Sequence, residues 1–258
     1  MVRVHNEDAV YANPESGLAI LADGMGGYNA GEVASAMVTT LLGTGLEQSF
    51  APRDPVLTSG GGRLRVQSVL AAEIARVNSA VYSAAQSQPQ YAGMGTTLVM
   101  ALFHGDSMTV AHIGDSRLYR LRRKEFQLIT RDHSLLQEQL DRGMLTQEQA
   151  RYSRHKNLVT RALGVDPTVE PEINDYDTRQ GDIYLFCSDG LSDMVEEQDI
   201  GAILRSASAD LTLAAAQLVQ KANDNGGHDN VSLILLRVGQ SQVAARGWLA
   251  RLLARFMR

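Results

Sequence analysis

Four aspartates stand at the ends of the most apolar stretches of the chain: Asp23 after Leu18–Ala22, Asp115 after Met108–Gly114, Asp189 after Ile183–Ser188, and Asp229 just before Val231. A carboxylate beside a buried strand is costly unless a cation or several donors compensate it. Taken singly, each reads as a turn residue or a helix cap. Taken together, with Arg117 as the exception among adjoining segments that almost lack Lys and Arg, four acids converging on one edge of a core need counter-charge. Hard divalent cations are the economical source. Carboxylates and carbonyls, with no cysteine and no paired histidines among them, suit Mg2+ or Mn2+ over zinc. His228, next to Asp229, has no second histidine at zinc spacing and reads as structural or surface. Two such ions close together could bridge and deprotonate a water while clamping a phosphoryl group, so that no nucleophilic side chain is needed.

The elements that must position these acids follow from periodicity. Leu18–Ala22 is a short continuous apolar run of the buried-strand type, ending in Asp23-Gly24-Met25-Gly26-Gly27. Val33, Met37 and Leu41, flanked by Ala34, Val38 and Leu42, then recur at helical spacing. Residues 52–62 read as a Pro, Gly and Ser loop, and Val66, Leu70, Ile74, Val77 and Val81 mark one face of a long second helix. From Thr96 the spacing predicts strands at Leu98–Phe103, Met108–Ile113, Leu118–Leu121 and Phe126–Ile129, joined by gaps short enough for antiparallel hairpins. Residues 134–163 turn polar and helical, with Gly143 dividing Leu135–Arg142 from Thr146–Tyr152. Strands are expected near Val169–Tyr176, Ile183–Cys187 and Val231–Val238, and helices at Glu196–Arg205 and Leu211–Asn223. Runs of helices alternating with runs of strands mean α+β, not a parallel βαβ array. No internal repeat or linker divides the chain.

Composition excludes other classes. The 258 residues, 44% hydrophobic, can bury a substantial core, so disordered and fibrous architectures are out. The net charge of −5 argues against binding nucleic acid by bulk phosphate neutralisation. The single Cys187 forms no internal disulfide and no cysteine-based zinc site, which fits a reducing cytoplasm, and it reads as a packing residue. No stretch is long and apolar enough to span a bilayer, and Met1 is followed by Arg3, His5, Asn6, Glu7 and Asp8 instead of a signal-peptide apolar region. Residues 240–258 contain Arg246, Arg251, Arg255 and Arg258 and no acid, which leaves −9 on the rest. Leu249, Leu252, Leu253 and Phe256 line one face of this tail, with Trp248 at its margin and Arg251, Arg255 and Arg258 opposite. The pattern is that of a basic amphipathic helix for an anionic membrane or a partner's groove, with docking on the protein's own surface or disorder as the plainer readings.

Seven segments then carry a family resemblance: Arg3 to Ala9, Ala22 to Gly27, Gly93 to Thr97, Gly114 to Arg117, Thr130 to Ser134, Cys187 to Leu191 and His228 to Val231. In order and spacing they resemble the motifs of the metal-dependent protein phosphatases (PPM, type 2C) in their bacterial form, over residues 3 to about 238. The resemblance implies a four-layer α-β-β-α sandwich of two antiparallel sheets over residues 1–239, with metals in a cleft at one end and 240–258 as a separate tail. It implies that Asp23 bridges two Mg2+ or Mn2+ ions, that the Gly24 carbonyl lies on one of them, and that Asp189 and Asp229 bind the other. Glu7 and Asp8 would act mainly through metal-bound waters, Asp115 with Asp189 would hold a third, weaker ion, and Arg3 would grip the substrate phosphate.

The implied activity is hydrolysis of phosphoserine and phosphothreonine on proteins by a metal-bridging hydroxide, usually opposing a bacterial serine/threonine kinase. Eukaryotic members carry a histidine where Met25 stands, so the general acid is not evident; His133 and His155 are candidates that read more plainly as turn or surface histidines. Residues 134–163 match a mobile flap beside the cleft in bacterial members, whose Arg151, Arg154, His155 and Lys156 could meet an acidic or phosphorylated substrate flank, or be a solvated hairpin. Family members also carry a strand before the arginine motif, so either the true start lies upstream or an edge strand is absent.

Two rival readings remain. A dinucleotide site at Asp23–Gly27 fails, because Asn29 stands where the third glycine should fall. A catalytically silent phosphoprotein-binding module would lack a metal aspartate, and Asp23, Asp189 and Asp229 are all present.

Overall fold

The computed structural model describes residues 3, 5–27, 30–50, 62–151 and 158–239. Its strands are β1 (Asp8–Asn13), β2 (Leu18–Met25), β3 (Gly95–Thr96), β4 (Leu98–His104), β5 (Ser107–Ile113), β6 (Arg117–Arg122), β7 (Glu125–Leu128), β8 (Glu172–Asp177), β9 (Ile183–Cys187) and β10 (Leu233–Arg237). The helices are α1 (Ala30–Ser49), α2 (Gly62–Ser87), α3 (Leu135–Asp141), α4 (Gln147–Arg151), α5 (Asp189–Ser192), α6 (Glu197–Ser206) and α7 (Leu211–Asp224).

One sheet runs β1-β2-β4-β5-β8 with β3 paired to β2, the other β10-β9-β6-β7, and every pairing is antiparallel. Alternation along the strands sorts side chains into three cores. From β2, Leu18, Ile20 and Ala22 pack with Val38 and Leu42 of α1 and with Val66, Leu70, Ile74, Val77 and Val81 of α2. The intervening Ala19 and Leu21 face the other sheet, where Leu118, Tyr184 and Phe186 meet them. On the far side, Ile183, Leu185 and Cys187 of β9 pack under Ile200, Leu204, Ala214 and Leu218 of α6 and α7. This is the four-layer α-β-β-α sandwich expected. Because both faces of β2, β4, β5 and β9 are covered, their sequences are continuous apolar runs instead of alternating ones.

The expected strands and helices are present, the short β3 and α5 are additional, and two further differences lie at the sheet edges. A strand, β1, pairs with β2 from the segment Asp8–Asn13, which the apolar pattern did not reveal; it is largely uncovered, and Val10 is exposed. The strand placed at Val169–Tyr176 starts at Glu172, after Pro171, which has no N–H to give a ladder. Residues 152–157 and 240–258, and with them Arg154, His155, Lys156 and the basic tail, lie outside the described residues.

Candidate active site

Register brings the acids together. In the first sheet Asp8 stands directly opposite Asp23, an arrangement of like charges that disfavours the pair unless something neutral or positive intervenes. In the second, Arg117, Cys187 and Leu233 share one rung at the end of the sheet. Asp115, Asp189 and Asp229 lie just beyond it on the same side, two residues before Arg117, two after Cys187 and four before Leu233. The charges of Asp8, Asp115, Asp189 and Asp229 all act on Asp23.

Hydroxyls and amides that the sequence reading did not single out hold this arrangement. Ser188 donates its hydroxyl to Asp8 Oδ2 at 2.8 Å and accepts the Ser232 N–H at 3.1 Å, stitching β1 to the second sheet. Thr97 Oγ1 accepts the Asp23 N–H at 3.0 Å and lies 2.7 Å from Ser116 Oγ, so the loops of Asp23 and Asp115 share one hydroxyl. Asn230 accepts the Glu7 N–H at 2.9 Å and donates to the His5 carbonyl at 2.9 Å, tying the first segment of the chain to the Asp229 loop. A Cβ on Gly190 would lie 1.9 Å from the Asn230 carbonyl oxygen, so α5 and that loop touch only because residue 190 is glycine. Each of these residues sits inside or beside a motif already quoted; the signal was a polar residue neighbouring an acid within a strand-end segment.

The electrostatics are those of buried carboxylates that repel one another. Burial, then the neighbouring carboxylates, pushes Asp23 well above the ordinary carboxylate range. Burial likewise raises Asp189 to about 7 and Asp115 to about 6, with Asp115 acting on Asp189 and Asp132 on Asp115 as the next causes. Asp8 and Glu7 are raised as well, again chiefly by burial. The basic residues do not cancel this charge. Arg117 makes a bidentate pair with Asp132, its Nε 3.0 Å from Oδ1 and its Nη2 2.7 Å from Oδ2. Arg3 donates to Asp229 Oδ2 at 2.7 Å, with about half of its side chain exposed. Among the described residues no Lys or Arg is paired with Asp8, Asp23, Asp115 or Asp189. Asp8 Oδ1 is buried with no donor. An all-oxygen set of carboxylates that act on one another, with an unsatisfied buried oxygen among them, fits hard divalent cations.

A cavity of about 530 Å3 opens beside Asp115 and Asp189. Its lining includes the Arg117–Asp132 pair, Leu136 and Leu140 of α3, and Met194 and Val195 beyond α5. His133, expected as a turn or surface histidine, is instead buried, its N–H bonded to the Gly114 carbonyl. His228 is exposed and Cys187 buried, the thiol pushed up to about 12 by burial.

The family model for Protein phosphatase 2C matches residues 3–225. The chain is 37% identical over 238 residues to the serine/threonine phosphatase stp of Listeria welshimeri, covering 91% of each. It is 38% identical over 252 residues to the serine/threonine protein phosphatase PstP of Mycobacterium tuberculosis, spanning 46% of that longer protein. The crystal structure of the M. tuberculosis phosphatase superposes with a TM-score of 0.82 at 38% identity, covering 93% of this chain and 95% of that one. A structure of the PstP catalytic domain in complex with two manganese ions superposes with a TM-score of 0.79, covering 93% and 94%. Fold, acid cluster and relatives converge, and the chain belongs to the metal-dependent protein phosphatase 2C (PPM) family.

Proposed function

We propose that this chain hydrolyses phosphoserine and phosphothreonine esters on proteins, with two Mg2+ or Mn2+ ions held by Asp23, the Gly24 carbonyl, Asp189 and Asp229. Glu7 and Asp8 would complete the set, and Asp115 with Asp189 would hold a third, weaker ion. The observation that carries this reading is Asp23, enclosed by four other carboxylates with no basic partner among the described residues and raised well above the carboxylate range. When bound, the ions supply Lewis-acid polarisation of the phosphoryl oxygens and a water acidic enough to attack at neutral pH.

The protein's own groups do the rest. Asp23 and Asp189, whose ionised forms burial disfavours, would hold the ions as carboxylates, and Ser188 and Thr97 keep the carboxylate-bearing backbone from relaxing apart. Arg3, bonded to Asp229 and half exposed, can exchange that carboxylate for a substrate phosphate oxygen, a role its planar fork suits. Met25 has no proton to give, and His133 is engaged with Gly114, so neither serves the leaving group.

The same reading assigns as counterpart a bacterial serine/threonine kinase. No described helix is long and apolar enough to cross a membrane. The lone cysteine supports work in a reducing cytoplasm. Residues 240–258 are assigned as a tail separate from the domain, its basic amphipathic pattern suited to an anionic membrane or a partner's groove.

Phosphate release from a phosphothreonine peptide tests the function. Turnover with Mn2+ that stops on adding a chelator supports it. Turnover that survives the chelator, or equal turnover of a phosphotyrosine peptide, overturns it.

A further inference from the structure

Apart from the acid cluster, the described residues bring together His112 on β5, His133 between β7 and α3, and Glu172 at the start of β8. The two imidazoles are buried and stacked, ring centres 4.7 Å apart and planes inclined by 17°. Both Nε2 atoms face one oxygen, Glu172 Oε2, at 3.6 Å from His133 and 4.0 Å from His112. The other oxygen of Glu172 accepts from Asn174 Nδ2 at 2.9 Å.

Two histidines and a carboxylate invite a metal reading, and the hydrogen bonds oppose it. His112 Nε2 lies 2.8 Å from the Arg131 carbonyl oxygen, a contact that requires a proton on that nitrogen; the Arg131 N–H is farther, at 3.4 Å. His133 Nδ1 accepts the Gly114 N–H at 3.2 Å, so the proton of the neutral ring sits on Nε2 and faces Glu172. Neither Nε2 then offers a lone pair to a cation.

What the group does hold is Gly114. The Gly114 N–H donates to His133 Nδ1, and the His133 N–H donates to the Gly114 carbonyl at 2.9 Å, two bonds from one residue to one peptide unit on either side of its Cα. Gly114 has φ +98° and a Cβ there would lie 2.7 Å from the Thr97 methyl, so its backbone has little room to move toward Thr97. The next residue is Asp115. We propose that His133 is a positioning residue that fixes, through Gly114, the peptide presenting Asp115 to the third cation. This rests on the assignment of Asp115 made above. Burial and the neighbouring His112 lower His133 to about 4, so Nδ1 stays an acceptor at neutral pH. Supporting groups one step removed from a metal ligand commonly tune it in this way.

Three variants test it, each assayed for the Mn2+ concentration giving half-maximal phosphate release and for Tm. His133→Phe keeps a ring against His112 and removes the acceptor. His133→Asn puts an oxygen where Nδ1 stood and leaves a void. Asp115→Asn reports on the acid itself. The expected result is that His133→Phe needs roughly tenfold more Mn2+ while His133→Asn stays within about twofold of the parent, although the Asn variant melts lower. Asp115→Asn shows the same shift, and adding His133→Phe to it changes nothing further. A loss that follows Tm, with Asn worse than Phe, overturns the proposal and leaves a packing role. A shift in Asp115→Asn without one in His133→Phe overturns the clamp alone, whereas parental Mn2+ dependence in Asp115→Asn overturns the Asp115 assignment and the clamp's function with it.

Discussion

Asp189 shows what the site costs the fold and what a cation returns. Its carboxyl is raised to about 7, mainly by burial, so the ionised form is disfavoured in the folded chain relative to the unfolded one. The stability tied to the neutral group is therefore fully present below the ordinary carboxylate range near pH 4 and lost as pH rises through about 7. The metal-free protein is expected to melt at lower temperature at about pH 8 than at about pH 5. Asp189→Asn cannot ionise, so it should raise the metal-free Tm at the higher pH by a few degrees, on the order of 1–3 kcal/mol, as scanning calorimetry with a chelator would show. A variant that melts lower than the parent there would mean that Asp189 is structurally satisfied without a cation. Arg3 should behave oppositely: its pair with Asp229 is half exposed and contributes about 0–1 kcal/mol, so Arg3→Ala leaves Tm nearly unchanged while raising KM for a phosphopeptide. An unchanged KM would remove Arg3 from the phosphate site. At this scale the acids were legible, since aspartates at the ends of apolar runs are conspicuous. Ser188, Thr97, Asn230 and His133 were not, because the hydrogen bond a small polar residue makes depends on which strands become neighbours.

The elements divide along the same line. β2, β4, β5, β6 and β9, and the buried face of α2, were readable because each is covered by apolar neighbours and the pattern states it. β1 was not: its uncovered face leaves Asp8–Asn13 without the pattern of a core strand, and only its pairing with β2 defines it. Four-residue α5 was missed for a related reason, being set by Ser188 and by its contact with the Asp229 loop instead of by periodicity. That contact gives a sharp expectation. Gly190→Ala drives a methyl into the Asn230 carbonyl, so the loop carrying Asp229 must shift, with a loss of about 2–4 kcal/mol and weaker Mn2+ binding. Parental stability and Mn2+ affinity would show that the approach of α5 to the loop is not needed. Thr97→Val tests the link between the two sheet ends: it leaves the Asp23 N–H and the Ser116 hydroxyl without their shared oxygen, at about 1–3 kcal/mol by denaturant titration. A loss well below 1 kcal/mol would mean that the two loops are held independently.

At the scale of the molecule, the sandwich stacks two antiparallel sheets so that their ends deliver carboxylates from β1, β2, β5, β9 and β10 to one place. The α+β class followed from the run of elements and the four-layer sandwich from the family resemblance, whereas strand order and register, which decide what meets at the cleft, became visible only once the strands were paired. The −9 charge outside the tail acquires a location in the same way, since part of it is the acid cluster that divalent ions would neutralise. A cation that binds only the folded chain should raise its Tm with concentration, by about 2.7 kcal/mol in stability at a hundredfold excess over Kd. The most direct measurement counts bound Mn2+ and phosphate release together, in the parent and in Asp23→Asn. The expected result is at least two ions bound to the parent, with Asp23→Asn losing ions and more than about a hundredfold in phosphate release at saturating phosphothreonine peptide. Asp23→Asn that turned over normally while binding fewer ions, or that bound the same ions and stayed active in chelator, would contradict a phosphatase built on this carboxylate cluster.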